Sequence, residues 1–208
     1  MSSTPLRPLH CQRTLAAFVA TVFAAAALAS CRSSPDQTIS PTLRVAGTVW
    51  DDFDAKVSSG PVSIEGETDY QNFEVGGGAT FFEPADSGGQ RKVARADVSV
   101  GAAEFGDIDA IEIAGGGRVY FGQHPTFQPF LSAYLVGTLF DDVANVEVGN
   151  QLGGRAGGGL EVALTEQVFV DVTVDYTVPF VAAETDTTPT IDTEVEGFAL
   201  RIGLGFIF

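Results

Sequence analysis

The chain has 208 residues and carries 27 Asp and Glu against 11 Lys and Arg, a formal net charge of −16. That balance excludes the basic surface that nucleic acid requires, and the length calls for no more than one domain. Gly (24) and Phe (16) are abundant while Lys is confined to Lys56 and Lys92, a mix that suits β-structure better than a helical bundle.

Residues 1–30 read as a removable export leader. Arg7 and Arg13 precede an apolar run from Leu15 to Leu28, which at about 14 residues is shorter than the roughly 20 a helix needs to cross a bilayer. Both cysteines, Cys11 and Cys31, lie in or beside this segment, so a structural disulfide is not expected. The stretch Leu28-Ala29-Ser30-Cys31 resembles the lipobox of bacterial lipoproteins. That resemblance implies cleavage before Cys31 and lipid attachment to its sulfur, and Arg32 after it implies sorting outward. An ordinary peptidase cut nearby would leave Cys31 unmodified, and export follows from either reading. Residues 31–41 are polar, contain Pro35 and Pro41 and show no apolar period, as expected of a flexible tether.

Residues 42–208 form the body. Apolar residues alternate with polar or small ones, the period of strands with one apolar face, and helical spacing is nowhere sustained. The clearest case places Val168, Val170, Val172, Val174, Tyr176 and Val178 opposite Phe169, Asp171, Thr173, Asp175 and Thr177. Eight strands are predicted, over 42–50, 70–82, 92–102, 109–121, 127–139, 154–164, 167–179 and 196–208. Most match the roughly 9–11 residues of a tilted transmembrane strand and exceed the usual 5–6 of globular sheets. Of the seven connections, 51–69, 140–153 and 180–195 are long and 122–126 and 165–166 are tight, while 83–91 and 103–108 depart from the alternation. Outer-membrane barrels alternate long external loops with short periplasmic turns in this way.

One face of these strands carries Leu43, Val45, Val49, Phe73, Val75, Phe81, Val98, Val100, Ile111, Ile113, Val119, Phe121, Leu160, Val162, Leu164 and the Val168 series. The opposite face carries Arg44, Glu74, Arg95, Asp97, Glu112, Arg118, Arg155, Glu161, Asp171, Asp175 and Arg201, five bases and six acids. Charges in a dry interior are tolerated when they pair, so this set is expected to form a network inside a closed polar lumen. Periodicity alone leaves the opposite assignment open: a soluble, lipocalin-like lipoprotein barrel would turn its apolar face inward around an apolar ligand. The leader, the strand length and the chain's last strand favour the membrane. Glycine triplets at 76–78, 115–117 and 157–159, with Gly203 and Gly205 in the last strand, suggest sharp curvature or room for neighbouring aromatic rings.

The last strand places Phe198, Leu200, Ile202, Leu204, Phe206 and Phe208 on one face. Arg201, Gly203, Phe206 and the terminal Phe208 resemble the C-terminal signal read by the barrel-assembly machinery. With the Pro-aromatic strand Phe127 to Phe140, the strand holding Leu160-Glu161-Val162 and the turn at Thr165-Glu166, the stretch from about Tyr70 to Phe208 resembles the small eight-stranded OmpA/OmpX-like outer-membrane barrels. The resemblance implies a barrel plugged by polar side chains, with roles in envelope integrity, adhesion or surface contact and no single ligand.

Candidate chemistry is sparse. His124 sits in the tight turn Gly122-Gln123-His124-Pro125, with Ser132 the nearest serine along the chain. A lipid-modifying enzyme would need these two beside a carboxylate, and no spacing supports that. Asp51-Asp52-Phe53-Asp54 offers oxygens to Ca²⁺ but lacks the Gly and Glu of an EF-hand loop, so a solvated acidic loop is the plainer reading. The expectation is therefore an all-β, eight-stranded antiparallel up-and-down transmembrane barrel in the bacterial outer membrane. It has no catalytic site, cofactor or metal centre. Its expected partners are outer-membrane lipid, the assembly machinery and divalent cations at the acidic external loops.

Overall fold

The computed structural model describes residues 38–59, 62–84, 90–122, 124–141, 147–182 and 190–208. Ten strands follow in order: β1 (Thr38–Ser59), β2 (Val62–Thr68), β3 (Tyr70–Pro84), β4 (Gln90–Phe105), β5 (Ile108–Tyr120), β6 (Phe127–Phe140), β7 (Glu147–Val148), β8 (Gln151–Ala163), β9 (Val168–Ala182) and β10 (Thr190–Ile207). β1, β3, β4, β5, β6, β8, β9 and β10 pair antiparallel with their neighbours, and β1 also pairs with β10, which closes an eight-stranded barrel. Closure removes the free edges that would expose unpaired backbone groups. All eight predicted strands are present.

The register shows how the barrel is built. Following cross-strand partners from Thr42 through Gly78, Asp97, Gly116, Tyr134, Arg155, Thr177 and Gly197 returns to β1 at Phe53, not at Thr42. A stagger of that size tilts the strands by roughly 45°, the geometry of a small barrel with a side-chain-filled interior. Both described ends meet at the lower rim, where the Phe208 N–H donates to the Pro41 carbonyl at 3.0 Å.

The strands run further than their hydrophobic pattern. Residues 38–41, expected in the tether, pair with Phe82, Phe81, Thr80 and Ala79 as the first turn of the barrel wall. Residues 51–69, expected as a loop, form a protruding hairpin in which Phe53 to Ser59 pair with Thr68 to Val62. β10 likewise begins at Thr190 rather than 196. Above the apolar band the outer face meets water, so the apolar alternation that marks a strand is lost while the hydrogen-bonded ladder continues. The connection predicted at 103–108 shrinks to Gly106-Asp107, with Gly106 at φ 59°, a left-handed turn that glycine adopts without a Cβ clash.

Burial then sorts the faces. Phe73, Leu131, Leu135, Phe180 and Val181 are among the most exposed side chains, whereas Glu161, Asp171, Arg95, Arg118 and Arg201 are among the most buried. On β6 the outward series runs from Phe127 through Leu131 and Leu135 to Leu139. At about 3.3 Å per residue and the tilt above, it spans roughly 25–30 Å of height, close to the apolar band of a membrane barrel. Trp50, Phe180 and Phe198 lie toward the upper border of this band and Phe121, Phe127, Phe206 and Phe208 toward the lower. Among the described residues, no helix is long and apolar enough to cross a membrane.

Candidate functional site in the barrel lumen

Period two sends every second residue of eight strands into one enclosed space, so the lumen is lined in layers. Its lower layer holds Glu161, which accepts from Lys92, from Arg95 Nη1 at 3.1 Å and from the Tyr120 hydroxyl at 2.8 Å. Phe169 lies against both cations, 4.9 Å from Lys92 Nζ and 4.8 Å from the Arg95 guanidinium carbon. In the middle layer Arg44 grips Asp171 with two nitrogens, Nε at 2.8 Å and Nη2 at 2.9 Å, and reaches Glu74 with Nη1 at 2.6 Å. Arg118 meets the same Asp171 at 3.2 Å and stacks on Phe130. In the upper layer Arg155 bonds Glu112 at 2.8 Å, and Arg201 bridges Asp175 at 3.3 Å and Glu74 at 3.4 Å. The Tyr70 hydroxyl donates to Glu112 at 2.7 Å, and Asn72 donates to the same oxygen at 2.6 Å.

The inward bases are Arg44, Lys92, Arg95, Arg118, Arg155 and Arg201, and the inward acids are Glu74, Asp97, Glu112, Glu161, Asp171 and Asp175. Six meet six, so the lumen is neutral although the whole chain is strongly acidic. An unpaired charge in such a place costs several kcal/mol, and mutual neutralisation is what lets so many be buried together. The eleven charged residues expected inward are brought into this network; Lys92 completes it. Simple alternation puts Lys92 outward with Val98 and Val100, but β4 bulges at Val93: Phe81 pairs with Ala94 while Phe82 pairs with Lys92. One extra residue reverses the parity below it and turns Lys92 into the lumen.

Above the ionic layers an apolar plug closes the upper mouth. Phe53, Tyr70, Phe105 and Phe140 form its rings, with Val148, Val195 and Ala199 around them. Phe53 stacks on Tyr70 at 4.4 Å between centroids, and Phe105 lies 4.9 Å from Tyr70 and 5.4 Å from Phe140. Among the described residues, two spaces between the charged side chains measure about 20 and 10 Å³, each room for a single water. A vestibule of about 720 Å³ opens at the lower mouth beneath Lys92, Gln128 and Phe169. The lumen is therefore packed with side chains, and it presents no apolar interior of the kind a lipocalin-like binder needs.

Two glycines show why small residues recur. Gly205 is the cross-strand partner of Phe169, whose ring lies flat over it and would collide with any Cβ. At Gly159 a Cβ would meet the Val172 carbonyl first and then the Phe130 ring, whose Cζ lies at 2.8 Å. These rings carry the faces on which Lys92, Arg95 and Arg118 rest, so the missing side chains make space for the lumen's aromatic supports.

The other candidate residues fall apart as sites. His124 is exposed in the lower turn, where its Nδ1 accepts from the Thr126 and Phe127 amides at 3.2 and 3.3 Å, while Ser132 is buried in the lumen. His124 thus caps its own turn. Asp51, Asp52 and Asp54 alternate along β1: Asp51 accepts from the Tyr70 amide at 2.6 Å, and Asp52 and Asp54 point outward. Among the described residues no three acids, histidines or cysteines converge as a metal would need. Of the proposed assembly-signal residues, Arg201 and Gly203 face the lumen and Phe206 and Phe208 face outward. Cys31 and the leader lie outside the described residues.

No family model matches the chain, and no curated protein matches it. Solved structures do. Neisserial surface protein A superposes with a TM-score of 0.54 at 16% identity, covering 81% of this chain and 97% of that one. The outer-membrane protein AlkL (TM-score 0.49, 12% identity, 86% and 94% covered) and OprG from Pseudomonas aeruginosa (0.45, 17%, 83% and 96%) are also similar. At these identities the likeness is one of fold. By architecture, this chain is a small eight-stranded β-barrel of the outer-membrane type.

Proposed function

We propose that the protein resides in the bacterial outer membrane as a closed barrel with a structural, envelope-stabilising or surface-contact role, and that it neither conducts solutes nor catalyses a reaction. The observation that carries this reading is the partition of side chains: an apolar band outside and six neutralised ion pairs' worth of charge inside. A soluble protein with that arrangement would expose its hydrophobic surface to water and bury its charges, the least favourable distribution in both respects. Cys31 would add a lipid anchor ahead of β1 in the chain. The residue types at Arg201, Gly203, Phe206 and Phe208 would present the last strand to the assembly machinery.

Gel migration tests the membrane reading directly. The protein is expected to run as a compact species in mild detergent and to shift on boiling, and to aggregate when detergent is removed. A folded, monodisperse protein without detergent would overturn it. Incorporation of labelled acyl chains, lost in Cys31→Ala, tests the anchor.

A further inference from the structure

The upper rim carries a feature that membrane insertion does not use. Above the apolar band β2, β1 and β10 form a small sheet in which, among the described residues, β2 pairs with β1 alone. Ser63, Ile64, Glu65, Gly66 and Glu67 are all exposed, with Ile64 at 70%, and a Cβ built on Gly66 meets nothing within 4 Å. Among the described residues, no strand pairs with the side of β2 away from β1, where its alternate backbone groups are left without ladder partners. The edge carries no Pro or Lys in Val62–Thr68, and no bulge interrupts its register, so its protection against strand addition rests on the acids Glu65 and Glu67.

The charges on the outward face say what would pair there. Glu67 lies opposite Asp54, and Asp54 lies opposite Glu196, so three acids stand in one cross-strand row. The next row is Glu65, Lys56 and Glu194, in which Lys56 bonds Glu194 at 3.1 Å and is the single base. Like charges directly opposite one another destabilise a sheet, and nothing in the barrel's packing requires them here. A second copy of this chain would bring further acids to the same edge. A strand with cations at every second position would instead set them beside Glu65 and Glu67, which share one face.

We propose that the free edge of β2 is a docking site for an extended cationic segment of another molecule, added as a further strand with Lys or Arg at alternate positions. This rests on the barrel standing in the outer membrane with β2 above the lipid. Main-chain bonds would supply the pairing and the acidic rows the selection.

The full chain in lipid nanodiscs is titrated with a synthetic peptide of alternating lysine and threonine, and with a twin methylated on alternate backbone nitrogens, which keeps the charge but cannot form a ladder. The unmodified peptide is expected to bind at least about tenfold more tightly than its twin, with an affinity that falls as salt rises. The double variant Glu65→Lys with Glu67→Lys is expected to lose that binding while keeping its heat-shifted migration. Equal binding of the two peptides, equal binding by the variant, or no binding by a barrel that migrates normally would each overturn the proposal. Loss of the heat shift in the parent protein would instead mark failure of the membrane reading beneath it.

Discussion

Lys92 meets Glu161 deep in the lower lumen because a single extra residue, Val93, reverses the parity of β4. The pair shows how closely the lumen's neutrality depends on register. Lys92→Ala leaves Glu161 with Arg95 and Tyr120, so the expected loss is about 2 kcal/mol, below the roughly 3–5 kcal/mol of a fully stranded buried charge. Lys92→Met combined with Glu161→Gln keeps the lumen neutral and should cost less than the two single changes summed. Urea unfolding in lipid vesicles measures both.

Asp171 is gripped twice by Arg44 and once by Arg118, and its side chain is fully buried. Asp171→Asn leaves Arg118 without its salt-bridge partner and Arg44 with Glu74 alone, and is expected to destabilise the barrel by about 3 kcal/mol, more than any outward polar change. A loss under about 1 kcal/mol in the same assay would show that the network is not a closed account of the lumen's charge.

Gly205→Ala drives a methyl into the Phe169 ring. Displacing that ring removes the surface against which Lys92 and Arg95 lie, and a cost of about 1–3 kcal/mol is expected. Gly205→Ala combined with Phe169→Leu should recover part of it, which a double-mutant cycle reads out.

Phe53→Ala opens the upper plug and removes the stack on Tyr70. A destabilisation of about 3–5 kcal/mol is expected from the lost packing. Planar-bilayer conductance should stay at the baseline of the parent protein, because the ionic layers beneath leave space only for single waters. Steady channels in Phe53→Ala would place the seal in the plug alone.

The sequence made much of this legible. Eight strands, their order and the facing of Arg44, Arg155, Asp171 and Arg201 follow from period two, which survives wherever one face meets an apolar phase and the other does not. It failed where that contrast ends or slips. β1 beyond Trp50 and the whole of β2 have water on one or both sides, so Asp52, Lys56, Glu65 and Glu67 read as loop. Lys92 was lost to the bulge at Val93, and Phe53 to the register shift between Thr48 and Trp50. The rest of the plug had a readable signal: Tyr70, Phe105 and Phe140 are aromatic residues at inward positions at the upper strand ends. His124 and Ser132, neighbours in sequence, are separated because a turn residue and a lumen residue face different surroundings.

Spin labels placed at Leu131, Ser132 and Leu135 of β6, in a chain carrying Cys11→Ser and Cys31→Ser and reconstituted in vesicles, test the facing of the wall most directly. The labels at Leu131 and Leu135 should collide often with lipid-dissolved oxygen and rarely with a water-soluble nickel chelate, and the label at Ser132 should meet neither. High chelate accessibility at Leu131 and Leu135, or oxygen accessibility greatest at Ser132, would contradict an apolar wall turned toward lipid around a neutral ionic core.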